Sequence, residues 1–202
     1  MKPITPKKYR EIYVSSSLQK TLEFFCKYPD KEVSLNDLAR EVSVSKGNLS
    51  GIVKYLLVAG YVRVEKLSSI WRICANRESF NFLKAKLVYN LNFIYQSGLV
   101  EFLKDKYASP RSIILFGSFR RGEDTTGSDI DIAIERPGTG GHKITCLEEL
   151  SAFEKISGKA IQIHLFDRNA IDRNLFASIA NGIVLSGFLE AESSGKEENS
   201  RA

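Results

Sequence analysis

Apolar and polar positions alternate in two different rhythms along this chain. From Ser17 the spacing is three and four: Leu18, Leu22, Phe25 and Cys26 share one face and predict a helix that ends at Tyr28-Pro29-Asp30. Ser34-Leu35-Asn36-Asp37 has the form of a helix start, with a capping hydroxyl and an acidic residue three positions on. It predicts a short helix to about Glu41, with Leu35, Leu38 and Val42 facing inward. Ser45 is placed to cap a third helix, whose apolar face is Leu49, Ile52, Val53, Leu56 and Leu57 and whose stop is Gly60. The rhythm then changes to two. Residues 61–66 alternate as a strand, Ser68-Ser69 reads as a turn, and residues 70–74 read as the returning strand.

Residues 78–107 return to helical spacing, with Phe80, Leu83, Leu87, Leu91, Ile94 and Tyr95 as the expected buried stripe and Gly98 as a break. Beyond Arg111, strands and helices alternate. Residues 112–116, 129–135 and 160–166 read as strands, 136–142 as a glycine-rich loop, 145–156 and 169–179 as helices, and 183–185 as a short last strand. The segment before Ser17 and the charged tail from Glu190 are expected to be loosely ordered.

Three helices and a small hairpin, with a short connection between the second and third helices and a Gly60-Tyr61-Val62 junction, resemble a winged helix-turn-helix. Charge adds to that reading. Residues 1–107 hold 18 Lys and Arg against 10 Asp and Glu, whereas the rest of the chain is slightly acidic. A basic half suggests an anionic partner such as nucleic acid. The resemblance implies that the third helix enters a DNA groove, where Asn48 could read an adenine edge, with Lys46 and Lys54 on the same polar face. Arg63, Lys66 and Arg72 on the hairpin would contact phosphates. The alternative is that this module docks a protein or the other domain.

The remaining composition excludes more than it suggests. No apolar run reaches the roughly 18 residues of a membrane span, and the basic start lacks a signal-like segment. A cytoplasmic protein without a membrane partner is expected. Cys26, Cys74 and Cys146 are odd in number and widely spaced, which fits small buried residues better than disulfides or a metal site.

The chemistry sits between Phe116 and Asp131. A strand ends at Phe116, Gly117-Ser118 opens a short helix, and Gly122 closes it. Asp129 and Asp131 lie two apart, so both carboxylates project from one face while Ile130 and Ile132 point into the core. Two adjacent carboxylates repel unless a cation lies between them. Mg²⁺, or Mn²⁺, suits hard oxygen ligands and takes substrate phosphates as well. Glycine lets a backbone approach phosphate closely, and outward-pointing amides suit an anion. Arg120 and Arg121 are on the same turn, placed to neutralise phosphate or meet a second substrate.

Gly117-Ser118, ten residues, then Asp129-Ile130-Asp131 resembles the minimal nucleotidyltransferase domain of the DNA polymerase β superfamily. The Arg121-Gly122 and Ser128-Asp129 pairs fit as well. The resemblance implies that Asp129 and Asp131 hold metal and are catalytic. Gly117, Ser118, Arg121 and Ser128 then hold the nucleoside triphosphate. It also implies transfer of a nucleoside monophosphate to a hydroxyl, with pyrophosphate leaving. Stand-alone relatives act as antitoxins that adenylylate a partner protein.

One position departs from the pattern. Active members carry a third carboxylate after a lead such as Gly158-Lys159-Ala160-Ile161, and here that place holds Gln162. Gln162 and His164 are expected to face the two aspartates. Three readings stay open. His164 serves as the base; or activity survives on two carboxylates, or with a third supplied by Asp167 or a partner; or the nucleotide is bound without turnover. His142, in the glycine-rich loop, is expected to be a solvated residue.

The fold class is therefore α+β. The expected order is a winged helix over residues 1–77, a helical linker over 78–107, a small mixed sheet flanked by helices over 108–189, and a tail over 190–202. The function expected is nucleotidyl transfer to a macromolecule, either protein or nucleic acid. The alternative is a DNA-binding regulator whose second domain senses a nucleotide.

Overall fold

The computed structural model describes residues 16–67 and 70–190. The expectations for the first residues, the Ser68-Ser69 turn and the tail beyond Glu190 lie outside the described residues. The fold is mixed α+β, with one three-stranded and one five-stranded sheet.

The first half comprises α1 (Ser17–Lys27), β1 (Val33–Ser34), α2 (Leu35–Val42), α3 (Lys46–Val58), β2 (Val62–Leu67) and β3 (Ile70–Ala75). Local chemistry sets the boundaries. The Ser16 hydroxyl accepts the Gln19 amide to start α1, and the Ser34 hydroxyl accepts the Asp37 amide to start α2. Ser45 precedes α3 without a side-chain capping bond. Phe25, Leu38, Leu49, Val53 and Ile73 are wholly buried in one core. Leu57 is not part of it: it is 43% exposed near the C-terminal end of α3. The two-residue β1, which pairs antiparallel with β3, is too short to leave an alternating signal and was not expected.

Two helices join the halves, α4 (Phe80–Gln96) and α5 (Leu99–Lys106), separated by Gly98 at φ +83°. The start of α4 buries Phe82 in the first core, and its end buries Phe93 and Ile94 in the second. The expected stripe is only partly met. Ile94 is buried as expected, but Phe80 and Tyr95 are exposed, and Phe82, Lys86, Asn90 and Phe93 are the other buried residues of α4. Two polar side chains thus occupy the inner face because partners await them there, as described below.

The second half comprises β4 (Ser112–Phe116), α6 (Gly117–Arg121), β5 (Ile130–Glu135), β6 (His142–Thr145), a 3-10 turn at Glu148–Leu150, α7 (Ser151–Ser157), β7 (Ile161–Phe166), α8 (Arg173–Ala180) and β8 (Ile183–Gly187). The sheet order is β6-β7-β5-β4-β8, with β5 and β7 parallel and the other pairs antiparallel. The single helix expected over 145–156 is corrected: His142–Thr145 adds an edge strand to β7, and the helix starts only at Ser151. Leu147, Leu150 and Phe153, three apart, mimic a continuous helix because all three pack on the same core. The helix expected from Asn169 starts at Arg173, where the Asp172 carboxylate caps the Asn174 and Leu175 amides. Among the described residues no helix is long and apolar enough to cross a membrane.

One sheet face is sealed by Ile113, Ile130, Ile132, Ile134, Ile161 and Ile163, packed with side chains of α4, α5 and α7. Each wholly buried Ile contributes roughly 1.5–3 kcal/mol relative to exposure. A one-residue slip of β5 would turn its isoleucines out of this core, so the register is firmly specified. The opposite face carries Ile114, Phe116, Ala133 and Phe166 under α8, and Asp131, Gln162 and His164 follow the same alternation. The hydrophobic face thereby determines which way the polar one points.

Candidate active site

The register brings the expected residues together. In the parallel β5–β7 pair, Asp131 lies opposite Gln162 and Ala133 opposite His164. The Gln162 amide donates to Asp129 Oδ2 at 2.5 Å, and His164 Nε2 lies 3.3 Å from Asp131 Oδ1. Phe116, opposite Asp131 on β4, sets its ring edge-on to His164 at 4.9 Å between centroids. Gly117 follows at φ +74°, and a Cβ there would collide with the Asp131 carboxylate. Only glycine satisfies both the left-handed backbone and the close approach.

Asp131 keeps 25% of its side chain exposed. Neither Asp129 nor Asp131 has a Lys or Arg partner among the described ion pairs; their neighbours are a neutral amide and an imidazole. His164 is 7% exposed, and its Nε2 is buried without a hydrogen bond. Its other nitrogen, Nδ1, lies 3.0 Å from His142 Nε2, with the two rings stacked. Burial, then the neighbouring His164 ring, hold His142 below the ordinary imidazole range. His142 is exposed, as expected of a solvated residue, and in addition its ring partners His164. The alternation Lys143-Ile144-Thr145 beside it was the signal that could have found it. Asp167, considered as a replacement acid, accepts the Gly138 and Asn169 amides at the far end of β7 instead.

Beside Gly117 opens a cleft of about 480 Å³ between α6 and α8, lined by Phe116, Arg120, Arg121, Leu175, Ser178 and Asn181. The Arg120 Nε is buried with no partner, whereas Arg121 pairs with Glu123 at 2.6 Å. Ser128 closes the loop before Asp129: its hydroxyl accepts the Thr125 amide at 2.9 Å. The Ser118 carbonyl accepts the Glu123 amide, which fastens the other end of that loop.

Two carboxylates, each with free lone pairs and no protein cation, form a donor set that suits a hard divalent ion sharing its shell with phosphate. Among the described residues no three His, Cys, Asp or Glu side chains converge to hold a metal ion.

The nucleic-acid candidates are divided. Lys46, Asn48 and Lys54 are exposed on α3. Arg63 is engaged by Asn76 and Glu78, Arg72 lies near Glu32 and Glu65, and Lys66 sits over the Trp71 ring at 5.2 Å. Of the cysteines, Cys26 is buried, its thiol pushed up to about 12 by burial. Cys146 is exposed, contrary to the expectation of three buried residues.

Residues 97–177 match the model of the nucleotidyltransferase domain family. A Methanocaldococcus jannaschii protein named as a proposed protein adenylyltransferase is 44% identical over 62 residues, 30% of this chain and 61% of that relative. The chain thus spans less than two thirds of the curated relative's length. Both findings support a nucleotidyltransferase in the second half. Among solved structures, overoxidized AbfR bound to DNA is 17% identical with a TM-score of 0.32, and disulfide-formed AbfR is 16% identical with a TM-score of 0.30. Each covers 47% of this chain and 70% of its own, and likeness at that level carries no conclusion.

Proposed function

We propose that the second half binds a nucleoside triphosphate and transfers its nucleoside monophosphate to a macromolecular acceptor, a protein or a nucleic acid. The observation that carries this is the pair Asp129 and Asp131, without a Lys or Arg partner among the described residues and backed by a glycine that leaves no room for a side chain. In this reading residues 108–189 are the transferase domain, 78–107 the linker, and 1–77 a winged helix-turn-helix, in a cytoplasmic protein.

Asp129 and Asp131 would hold Mg²⁺ or Mn²⁺, which when bound would neutralise charge on the polyphosphate and the leaving group. Gly117 and Ser118 present backbone to the β- and γ-phosphates. Arg121 turns from Glu123 toward them, and Ser128 shapes the approach to Asp129. The acceptor hydroxyl oxygen forms a bond to the α-phosphorus, the bond to the β-phosphate oxygen breaks, and pyrophosphate departs. His164 takes the hydroxyl proton at Nε2. If Nδ1–H donates to His142, the Nε2 lone pair is left facing the site beside Asp131. Two groups then present lone pairs to one point, which suits an incoming proton or cation.

The test is transfer of label from α-labelled ATP to the protein or to a co-purifying partner. Label is expected on a macromolecule, and is lost in Asp129→Asn and Asp131→Asn. Absence of any transfer, with metal-dependent nucleotide binding intact, supports a second reading.

That second reading is a DNA-binding regulator that senses nucleotide without turnover. The Gln162–Asp129 hydrogen bond favours it, because a neutral amide occupies the place of the third acid. The exposed Lys46, Asn48 and Lys54 of α3 would then meet duplex DNA, with Arg63, Lys66 and Arg72 on phosphates. Duplex binding that weakens steeply with salt is its expected signature.

A further inference from the structure

The ten residues between Ser118 and Asp129 are built against the joining helix α4 and, through Asp30, against the first half of the molecule. Asp124 is wholly buried: its Oδ2 accepts from Lys86 at 2.8 Å and lies 3.1 Å from Lys159, and its Oδ1 accepts from Asn90 at 2.7 Å. Asn90 also donates to the Phe119 carbonyl at 2.8 Å, and Lys86 to the Cys26 carbonyl at the end of α1. Lys159 donates to the Thr125 carbonyl. One residue further on, the Thr126 amide and hydroxyl donate to the Asp30 carboxylate, which belongs to the turn after α1. Gly122 lies so close to the Leu83 carbonyl of α4 that a Cβ would clash.

The spacer is therefore held on one side by α4 and the turn after α1 and on the other by Lys159. It leads without interruption to Ser128, whose hydroxyl accepts the Thr125 amide, and on to Asp129. We infer that Asp124 and Asp30 are positioning residues through which the first half sets the geometry of the nucleotide site. Neither touches the nucleotide; both act on Asp129 and Ser128 through the spacer. This inference rests on the nucleotide-site reading above. By linkage, a nucleotide that tightens the spacer also changes the affinity of whatever binds the first half, and by the same factor.

The test uses the full chain in three forms: unaltered, Asp30→Ala and Asp124→Asn. Asp30 is exposed and remote from the chemistry, so its variant is expected to melt within a few degrees of the unaltered protein. Hydrogen exchange is read first, without nucleotide. Faster exchange over residues 117–131 in Asp30→Ala, with α2 and α3 unchanged, is expected. Exchange identical to the unaltered protein overturns the inference. Titration with Mg·ATP is read second. Both variants are expected to weaken affinity by roughly two- to thirtyfold, an effect that loss of stability alone would not produce below the melting range. Unaltered affinity in both variants overturns the inference. Failure of the unaltered chain to bind Mg·ATP at all defeats the nucleotide-site reading and the part of this inference built on it, whereas the exchange result still decides whether the first half holds the spacer.

Discussion

Asp124 and Asp129 are five residues apart, and their surroundings are opposites. Asp124 is wholly buried and answered in full by two lysines and an asparagine amide. Asp129, with Asp131, sits on a partly open sheet face and meets only an amide and an imidazole. The first carboxylate is finished by the protein, and removing it leaves buried cations without a partner. The second pair lacks such an answer among the described ion pairs, and in the proposed function a partner from outside would complete it. What separates the two settings is the local balance of counter-charge as well as depth of burial.

The sharpest way to break that comparison is substitution of the unfinished pair. Asp131→Asn is expected to abolish Mg²⁺-dependent nucleotide affinity in calorimetry while leaving the thermal midpoint unchanged or raised, because one member of a repelling pair is gone. The finished acid predicts the reverse. Asp124→Leu is expected to cost about 3–5 kcal/mol in urea unfolding, since Lys86 and Lys159 lose their counter-charge. Burial already holds Lys86 below the ordinary lysine range. As a control, Arg63→Ala, which breaks an exposed pair with Glu78, is expected to cost less than about 1 kcal/mol.

A third substitution asks whether the unfinished site lacks an acid. Gln162→Asp is expected to raise any transferase rate by on the order of a hundredfold, the usual range for a positioned base. A fall in rate would mean that the Gln162 amide has a role of its own.

The smallest effect concerns Asp30. Its bond from the Thr126 hydroxyl holds its carboxyl below the ordinary range. The folded value lies under the unfolded one, so the contribution is present above the unfolded pKa. It is lost as pH falls through the folded value. Acid titration of the melting midpoint is expected to be slightly flatter in Asp30→Ala than in the unaltered chain.

Legibility followed locality. The spacing of Asp129 and Asp131, and the alternation that sets Gln162 and His164 beside them, is written within single strands and could be read directly. The capped start of α2 and the break at Gly98 were legible for the same reason. The burial of Lys86 and Asn90 was not, because Asp124 lies 38 and 34 residues further along the chain. Helical periodicity scores both as polar and so rotates the stripe of α4 away from the face that packs. The exposure of His142 was legible, but its contact with His164 was not, because that ring is 22 residues away and is reached only through the antiparallel pairing of β6 with β7. The helix expected over 145–156 failed because leucine spacing reports burial on a common core, and a bent connection can satisfy it as well as a helix.

The central claim is tested most directly by diffraction from crystals grown with Mn²⁺ and a non-hydrolysable ATP analogue, read at the manganese edge. An anomalous peak is expected about 2 Å from oxygens of both Asp129 and Asp131, with the polyphosphate over Gly117 and Ser118. A peak elsewhere, or analogue bound away from the two carboxylates with none of its phosphates near Gly117, would contradict it.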